Sequence, residues 1–489
     1  MKSNLGLLTD LYELTMIQGY YMTAPEQKAV FDMFFRRQPF NGGFTIFAGL
    51  YPLIDTILNL RFTPDDLAYL KSLKIFKNEF LDYLSHFRFS GDIFAVEEGS
   101  VVFPNEPLIR VSGKLIEAQL IESILLNFIN YQSLIATKTA RIVLASNGGK
   151  VLEFGLRRAH GVDGAISAAR ASFIGGASAT SNVLAGKLFN IPVSGTMAHS
   201  WIMSFEDELT AFERYAEIYP ENCILLVDTY DTLKSGIPNA ITVFKKLKEK
   251  GIKNFGVRLD SGDLDYLSKE AKRLFNVQGL DQVKIYASNE LDEWIINQIT
   301  KNRSPIDAWG VGSKLVTGDK DPFLTGVYKI VAKGEGKKLM PCIKVSNNPE
   351  KMSNPGIKNI LRFYDKNNMM LGDLIYLEGE EQLIKALKTG KPIRFNHPSI
   401  DYAFFTLKDY ARAEVLLKPI VKNGKKLRNE PELRKIQEFA KQELDSLDPT
   451  YKRLINPHIY KVSISDKLKE MKQKLISKYT IIFEQKGGD

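Results

Sequence analysis

From about residue 150 onward, short apolar runs alternate along the chain with amphipathic segments of helical length. The apolar runs start at about residues 151, 191, 223, 254, 283 and 307, a repeat of roughly 25 to 40 residues, the size of a strand and helix unit. Strands that alternate with helices form a parallel sheet, and this many in succession predict a β/α barrel. The predicted strands are "KVLEF", "IPVSGT", "CILLVDT", "NFGVRLD", "KIYAS" and "DAWGVGS". The predicted helices between them include "EDELTAFERYAEIY", "PNAITVFKKLKEK", "DYLSKEAKRLF" and "LDEWIINQIT".

The first roughly 130 residues have a different pattern, in which helical segments mix with strand-like runs and with turn signals such as "PFNGGF" and "FPNEP". We therefore expect three regions. They are an N-terminal α/β domain at residues 1–130, completed by later segments, a β/α barrel domain at residues 131–380, and a mainly helical, basic region at residues 381–489. Near the C-terminus, apolar residues recur at helical spacing and predict a terminal helix with a solvated lysine face: Leu468, Met471 and Leu475.

The composition is that of an ordinary globular protein. Of 489 residues, 44% are hydrophobic and 25% charged, so neither disorder nor a fibrous repeat is indicated. The N-terminus lacks the apolar core and cleavage site of a signal peptide, and no apolar stretch is long enough to span a membrane. Cys223 and Cys342 are the only cysteines, which argues against a disulfide framework or a thiolate metal cluster. We therefore expect a cytoplasmic protein with no membrane partner.

The formal net charge of +9 favours an anionic partner, either a nucleic acid or small phosphorylated molecules. The lysines concentrate near the C-terminus, and no zinc finger, RNA-binding motif or block of interleaved basic and aromatic residues accompanies them. We expect no nucleic-acid partner. A basic nucleic-acid-binding protein stays open as a distant alternative from a different class.

Polar or glycine-rich clusters follow each predicted strand. In barrel enzymes the carboxyl ends of the strands converge on one mouth, where active sites are built, so these clusters are expected to meet in space. The clusters are Glu153 to Arg158, Ser194 to His199, Asp228 to Asp231, Arg258 to Asp263, Ser288 to Glu290 and Gly310 to Ser313.

Each cluster also has a structural interpretation. Arg157 and Arg158 can be ordinary surface arginines, or they can present a guanidinium fork to a carboxylate or phosphate. Asp228 can cap the following helix, or it can orient a substrate hydroxyl or a magnesium-bound water. Arg258 is more informative, because a buried strand rarely carries an arginine without an anionic partner. The glycines around Gly310 let backbone amides approach an anion. Together these residues predict a barrel enzyme for a phosphorylated, carboxylate-bearing or ribosyl substrate, in a site compatible with magnesium.

Long stretches of the sequence resemble one enzyme family. They run in order from residue 7 to about residue 330, and the correspondence weakens beyond about residue 380. The stretches are "LLTDLYELTMIQGYY", "EFGLRRAHGVDGAISAARASFIGGASATSNVLAGKLFNIPVSGTMAHSWIMSF", "LLVDTYDT", "GVRLDSGDL", "WGVGSKLVTG" and the later "KVSNNPEKMSNPGIKNILRF". They closely resemble the nicotinate phosphoribosyltransferases.

This resemblance implies an α/β fold, an irregular β/α (TIM-like) barrel with a second α/β domain built mainly from the N-terminal segment. It implies an enzyme that joins nicotinate to 5-phosphoribosyl 1-diphosphate, giving nicotinate mononucleotide and pyrophosphate in NAD salvage. It further implies that ATP hydrolysis is coupled to the transfer through a phosphohistidine, that magnesium takes part, and that the active site lies at the interface of a homodimer.

The resemblance also assigns residues. His199 is expected to be the phosphorylated histidine, with Thr196 in a turn small enough for phosphates to approach. Tyr12 of the neighbouring subunit and Phe154 are expected on opposite faces of the pyridine ring. Arg157 is expected to face the nicotinate carboxylate or the diphosphate.

By the same resemblance, Arg258 is expected at the ribosyl phosphates and Asp260 at the ribose hydroxyls or magnesium. Asp228 is expected to orient the ring or the sugar. The 5-phosphate is expected beside Ser288, Asn289, Gly310 and Gly312.

Substrate choice is predicted from one position. The related nicotinamide enzyme has an aspartate where this chain has Asn182, and a carboxylate there would repel nicotinate and accept a bond from an amide. Its absence favours the acid, while nicotinamide or quinolinate transfer stays as the alternative within the enzyme class. The run "LLVDTYDTLKSG" superficially resembles the acidic diphosphate-binding motif of the other phosphoribosyltransferase class, but the long barrel-like repeat argues against that class.

Overall fold

The computed structural model describes residues 5–336, 338–346, 351–398, 400 and 402–486. Residues 347–350, part of one stretch behind the family resemblance, lie outside the described residues. The chain forms two compact units. Unit 1 comprises Met1–Leu134, Phe323–Glu432 and Glu438–Asp489, and unit 2 comprises Ile135–Pro322 and Leu433–Gln437.

The N-terminal part of the chain alternates helices with short strands. In the second helix Leu50, Leu53, Ile54 and Ile57 recur at helical spacing and are buried, so this helix presents one apolar face to the core of unit 1. The elements are α1 (Leu11–Thr23), β1 (Lys28–Phe35), β2 (Thr45–Ile46), α2 (Leu50–Asn59), α3 (Pro64–Ser72), α4 (Asn78–Ser85), β3 (Asp92–Ala95), β4 (Val101–Val102), β5 (Ile109–Lys114), α5 (Leu115–Leu120) and α6 (Glu122–Ala145).

The middle of the chain, from Lys150 to Val316, has the strand and helix alternation that its apolar pattern predicts. The four helices expected between the strands are confirmed as α10 to α13 in the series that follows. The elements are β6 (Lys150–Glu153), α7 (Gly161–Ile174), β7 (Ala179–Thr180), α8 (Val183–Phe189), α9 (His199–Met203), α10 (Glu208–Ile218), β8 (Cys223–Leu226), α11 (Ile237–Glu249), β9 (Phe255–Leu259), α12 (Leu264–Val277), β10 (Lys284–Ala287), α13 (Glu293–Lys301), β11 (Ala308–Val311) and α14 (Ser313–Val316).

These middle strands form one curled sheet in the order β7-β6-β11-β10-β9-β8, and every pairing in it is parallel. The predicted irregular β/α barrel is therefore confirmed, in the form of a half-barrel, together with a second sheet domain in unit 1. Strand β8 is buried along its whole length, as expected for a parallel strand covered by helices. The parallel direction brings the carboxyl ends of the strands to one edge of the sheet.

One predicted strand of the half-barrel is wrong. The run at residues 191–196 forms only a single parallel bridge, in which Val193 pairs with Thr180. The second strand of the series is instead the two-residue β7, which the apolar pattern did not indicate. Pro192 has no N–H group for a ladder, and only its carbonyl joins the sheet, accepting a bond from the Thr180 N–H at 3.0 Å.

The last part of the chain, from Gly326 onward, adds helices and strands to unit 1, except that Leu433–Gln437 at the start of the helix Leu433–Asp445 belongs to unit 2. The segment 381–489, predicted to be mainly helical, contains three helices and six short strands among its described residues. The elements are β12 (Gly326–Glu335), β13 (Lys338–Pro341), β14 (Lys358–Tyr364), β15 (Met370–Leu377), α15 (Glu381–Lys388), β16 (Ile393–Asn396), β17 (Phe404–Leu407), β18 (Arg412–Val415), β19 (Lys418–Lys422), β20 (Lys425–Lys426), α16 (Leu433–Asp445), β21 (Val462–Ile464) and α17 (Asp466–Lys486).

The described residues of unit 1 form three sheets. A seven-stranded sheet has the order β13-β12-β1-β5-β3-β19-β20, and a six-stranded sheet has the order β17-β16-β21-β15-β14-β18. Strands β2 and β4 form a two-stranded sheet. The predicted terminal helix is confirmed as α17, whose Leu468 is buried while Met471 packs partly buried beside it.

Two further expectations concern the chain as a whole. Cys223 and Cys342 are both free thiols. Among the described residues, none of the helices is long and apolar enough to cross a membrane.

Candidate active site

The carboxyl edge of the half-barrel gathers most of the residues that the sequence singled out. Strand β8 leads to Asp228, and the neighbouring strand β9 leads to Asp260. The Asp228 Oδ2 atom accepts a bond from the Asp260 backbone N–H at 2.9 Å and another from the Ser261 hydroxyl at 2.6 Å. Its other oxygen, Oδ1, is buried and has no hydrogen-bond partner among the described residues. Asp228 thus fixes the loop after β9 and keeps one acceptor atom unused.

The Asp260 carboxylate lies between two further site residues. It accepts a short hydrogen bond from the hydroxyl of Ser288, which follows β10. Its Oδ2 atom lies 3.7 Å from Nε2 of His199. The side chains of His199 and Asp260 remain 42% and 32% exposed, so both can be reached from solvent.

His199 is the first residue of the short helix α9. Its Nδ1 atom lies 3.1 Å from the Thr229 hydroxyl, which is hydrogen-bond distance. The 3.7 Å between Nε2 and Asp260 is too long for a hydrogen bond. The imidazole is therefore held on its Nδ1 side.

Arg258 on β9 supports the segment that leads to His199. Its Nη1 donates to the Thr196 hydroxyl at 2.6 Å, and its Nη2 donates to the Met197 carbonyl at 3.1 Å. In the part of the chain that the structure describes, the buried Nε has no hydrogen-bond partner. Burial lowers the pKa of the Arg258 guanidinium, although the carboxylates of Asp260 and Asp228 act in the opposite direction. An additional anion nearby would stabilise the charged form of this partly buried guanidinium.

The turn after β6 is held by the carboxyl group of Glu153, which is 1% exposed. It accepts a short bond from the Gly155 N–H and a bond of 2.5 Å from the Thr180 hydroxyl. Burial raises the pKa of Glu153, and the bonds from Thr180 and Gly155 oppose that shift. Glu153 therefore joins the ends of β6 and β7.

The aromatic ring of Phe154 lies against the backbone of Gly310 on β11. A Cβ atom at position 310 would lie 2.6 Å from Phe154 Cδ2, closer than side chains allow. Glycine at this position is therefore required for the approach of the ring. A Cβ at Gly312 would lie 3.0 Å from the Phe154 carbonyl oxygen, so the loop after β11 also follows the β6 turn closely.

Arg157 and Asn182 stand apart from this network. Arg157 is exposed in a 3₁₀ turn, at a position where its charge lowers the pKa of Arg258. The Asn182 side chain is buried and caps α8, since Oδ1 accepts from the Ala185 N–H at 3.1 Å and Nδ2 donates to the Ala165 carbonyl at 3.5 Å.

Asn289 and Tyr12 complete the predicted set. Asn289 follows Ser288 and has a φ of 106°, a strained value for a residue with a side chain. Tyr12 belongs to α1 of unit 1 and is 49% exposed. Partial burial of its hydroxyl, with the charge of Glu122, raises the Tyr12 pKa.

The sequence did not predict the roles of three supporting residues. Thr229 contacts His199, Ser261 contacts Asp228, and Glu153 joins two strand ends. All three stand inside the polar clusters after the strands, next to residues that were singled out. Their partners come from distant parts of the chain, so sequence position gave only a local signal.

Family models match almost the whole chain. The nicotinate phosphoribosyltransferase (NAPRTase) N-terminal domain matches residues 7–130, the NAPRTase family model matches residues 150–362, and the nicotinate phosphoribosyltransferase C-terminal domain matches residues 357–472.

Individual proteins agree with the family models. A nicotinate phosphoribosyltransferase of Bacillus subtilis is 43% identical over 466 residues, covering 95% of this chain and 93% of the relative. One of Caenorhabditis elegans is 37% identical, with 94% and 92% covered. The crystal structure of human nicotinic acid phosphoribosyltransferase superimposes with a TM-score of 0.83 at 30% identity, covering 96% of this chain and 99% of that one.

Proposed function

Because this chain belongs to the nicotinate phosphoribosyltransferase family, we propose that it joins nicotinate to 5-phosphoribosyl 1-diphosphate, forming nicotinate mononucleotide and pyrophosphate in NAD salvage. One observation carries the proposal beyond family membership. The partly buried Arg258 lies on one edge of a parallel sheet with Asp260 and Ser288, and with Asp228, whose carboxylate accepts from the Asp260 backbone N–H. This edge offers charge to a diphosphate and acceptors to a ribose.

The reaction breaks the bond between ribose C1 and the diphosphate. Positive charge develops on the sugar while negative charge develops on the leaving group, so positioning and electrostatic stabilisation dominate catalysis. Arg258 balances the negative charge of the phosphates. Asp260 accepts from the ribose hydroxyls and stabilises the positive charge on the sugar, and Asp228 holds Asp260 through its backbone N–H.

Nicotinate binds against Phe154, whose ring is seated on Gly310. Tyr12 from the neighbouring subunit covers the opposite face, and Arg157 pairs with the substrate carboxylate. Asn182 is uncharged, and its amide bonds the Ala185 N–H and the Ala165 carbonyl. An aspartate at this position would introduce a carboxylate that repels nicotinate.

The 5-phosphate binds at the loops after β10 and β11. Ser288 and Asn289 follow β10, and the partly exposed Gly312 follows β11, whereas Gly310 is buried against the Phe154 ring. Loops after the late strands of barrel enzymes are frequent phosphate sites, which supports this placement.

Magnesium fits the acidic side of the site. Asp228 Oδ1 is a buried oxygen without a hydrogen-bond partner, and Asp260 supplies a second carboxylate. Among the described residues, no group of three or more His, Cys, Asp and Glu side chains could hold a metal ion alone. Mg²⁺ keeps waters and is commonly bound by one or two carboxylates plus substrate phosphates. Once bound, it would neutralise charge on the diphosphate.

ATP is proposed to act through His199. A neutral imidazole can take the γ-phosphoryl group, because its unprotonated nitrogen carries a lone pair that can attack phosphorus. The exposure of His199 and the neighbouring small residue Thr196 support access of a triphosphate. Phosphorylation would tighten substrate binding, and hydrolysis would favour product release.

A homodimer is proposed from the exposed apolar side chains of each unit. Exposed hydrophobic groups rimmed by polar residues commonly mark protein interfaces. In unit 1 they include Leu8, Leu11, Tyr12, Met16 and Met22, and in unit 2 Val183, Leu184 and Leu188. A cytoplasmic location stays a prediction from cysteine usage.

The test is a comparison of pyridine substrates. Pyrophosphate release is measured with nicotinate, nicotinamide and quinolinate at a fixed concentration of 5-phosphoribosyl 1-diphosphate, with magnesium, in the presence and absence of ATP. We expect nicotinate to react fastest and ATP to stimulate the reaction. Faster turnover of nicotinamide or quinolinate contradicts the substrate assignment. Salt-dependent retention on nucleic acid without any pyridine-dependent release contradicts the enzyme assignment.

A further inference from the structure

We propose that the hydroxyl group of Thr229 is a positioning group for phosphoryl transfer, which holds the imidazole of His199 so that Nε2 is the nitrogen that becomes phosphorylated. The inference rests on the proposed phosphohistidine and adds a residue to that chemistry.

The two ring nitrogens of His199 have different surroundings. Nδ1 lies 3.1 Å from Thr229 Oγ1, within hydrogen-bond distance. Nε2 lies 3.7 Å from Asp260 Oδ2 and has no hydrogen-bond partner at that distance. In a neutral imidazole one nitrogen carries the proton and the other carries the lone pair, and the hydrogen bond made by one nitrogen decides the role of the other.

Thr229 is well placed to hold the ring because both ends of its loop are fixed. On one side, Asp228 is bound to the loop after β9. On the other side, the Asp231 carboxylate accepts bonds from the N–H groups of Leu233 and Lys234, at 3.1 and 2.9 Å. A hydroxyl on a loop anchored in this way can restrict the rotation of its partner.

At the end of the same loop, the backbone at Gly236 packs tightly against the backbone at Val227. A Cβ atom at Gly236 would lie 1.9 Å from the backbone oxygen of Val227, so the chain crosses directly over the end of β8. The turn at Thr232–Gly236 is π-helical, a conformation that often occurs at functional sites. Thr229 is therefore carried by a short, closely held segment.

The transfer balances with this arrangement. The Nδ1–H group donates to Thr229 Oγ1, which leaves the lone pair on Nε2. Nε2 attacks the γ-phosphorus of ATP, the N–P bond forms, and the bond from phosphorus to the bridging oxygen breaks. The electron pair leaves with ADP, while the Nδ1 proton stays on the ring and on its hydrogen bond to Thr229. Threonine neither gains nor loses a proton, so its part is orientation.

The experiment follows the formation of acid-labile, alkali-stable label from γ-labelled ATP on the full-length protein, with Thr229→Val and Thr229→Ser compared with the wild type. Valine keeps the shape of threonine without the hydroxyl, and serine keeps the hydroxyl. Thr242→Val is the matched control, since it removes an exposed hydroxyl that bonds only the Pro238 carbonyl, on α11 of the same unit. His199→Ala gives the background, and ³¹P NMR of an alkaline digest identifies the phosphorylated nitrogen.

We expect labelling of Thr229→Val to be slower by about tenfold, the effect of losing roughly one hydrogen bond, with an unchanged ATP concentration for half-maximal labelling. Thr229→Ser should label at nearly the wild-type rate, Thr242→Val should be unaffected, and the phosphate should be on Nε2. Wild-type labelling in Thr229→Val, or phosphate on Nδ1, would overturn the inference alone. Absence of label on the wild type, or label retained in His199→Ala, would overturn the phosphohistidine itself. If Thr229→Val does not fold, the labelling rate of Thr229→Ser and the phosphorylated nitrogen of the wild type still test the inference.

Discussion

Arg258 and Thr196 are joined by a hydrogen bond of 2.6 Å from the guanidinium to the hydroxyl. Because Arg258 is part of β9 and Thr196 precedes His199 by three residues, this bond ties the sheet to the turn that carries the proposed phosphoryl acceptor. A second bond to the Met197 carbonyl comes from the same planar group. A lysine ammonium cannot reproduce this paired geometry.

Replacement of Arg258 by lysine is therefore expected to be far from conservative. The Arg258→Lys variant should lose about 100-fold in kcat/KM for 5-phosphoribosyl 1-diphosphate, because both the fork and the support of the turn are lost. Steady-state kinetics measures the effect, and the melting temperature shows whether the variant is folded. A loss of less than about threefold in a folded variant contradicts the placement of Arg258 at the phosphates.

Gly310 is expected to be essential for binding of the pyridine ring. In Gly310→Ala the new methyl group would lie 2.6 Å from Phe154 Cδ2, so the ring must move. We expect the KM for nicotinate to rise by about tenfold or more while the KM for 5-phosphoribosyl 1-diphosphate changes little. Substrate saturation curves for both substrates provide the measurement. A rise in both KM values, or in neither, argues against Phe154 as the ring contact.

Glu153 is expected to hold the turn that carries Phe154, because it bonds Gly155 and Thr180. In Glu153→Gln an amide NH₂ replaces one acceptor oxygen, so one of the donors, Gly155 N–H or the Thr180 hydroxyl, loses its acceptor. We expect a destabilisation of about 1 to 3 kcal/mol and a higher KM for nicotinate.

Glu208→Gln is the matched control for that variant. Glu208 is also buried in unit 2 and accepts from two side chains, Ser235 at 2.5 Å and Asn239 at 2.9 Å. Both bonds end on Glu208 Oε2, whose place the amide oxygen can take, so the control should lose less stability and should not raise the nicotinate KM. If both variants show the same kinetic change, Glu153 has only a general structural role.

Glu106 is expected to make the stability of unit 1 depend on pH. It is fully buried, and its burial, with the negative charge of Asp373, raises its pKa well above the ordinary value, although Arg362 opposes the shift. The native state therefore binds this proton more tightly than the unfolded state. The resulting stabilisation is complete below the ordinary pKa of 4.5 and is lost as the pH rises toward the native pKa.

Glu106→Gln should remove this dependence, because an amide can donate to Asp373 and accept from the Phe103 N–H at any pH. Between about pH 5 and 8, the free energy of unfolding of the wild type should fall relative to the variant, by at most about 1.4 kcal/mol per pH unit. Denaturant unfolding at several pH values measures the difference. Parallel pH profiles of the two proteins contradict a protonated Glu106.

The apolar pattern predicted much of unit 2. Four helices, five of the six strands and the edge where Asp228, Asp260 and Ser288 meet follow from the repeat of strand and helix units. The failure at residues 191–196 has a local cause, since Pro192 reduces an apolar run to a single bridge.

Contacts between distant residues could not be predicted in this way. The bond between Thr229 and His199 spans 30 positions, and the bond between Glu153 and Thr180 spans 27. Short polar side chains are compatible with caps, turns and sites alike, so their sequence neighbourhood does not identify their partner. Asn182 was expected only at the substrate, yet its side chain also caps α8, a role that depends on where the helix begins.

Helix α6, which runs from Glu122 to Ala145, contains the boundary between the two units at Leu134 and Ile135, and α16 contains another boundary after Gln437. A gene fragment that starts at Ile135 would therefore begin in the middle of a helix and leave the new first turn with unpaired backbone N–H groups. Unit 2 cannot be exchanged between family members as an independent cassette with ends at these points. Chimaeric enzymes of this family should be joined in the loops that flank α6 and α16, so that each helix comes whole from one parent.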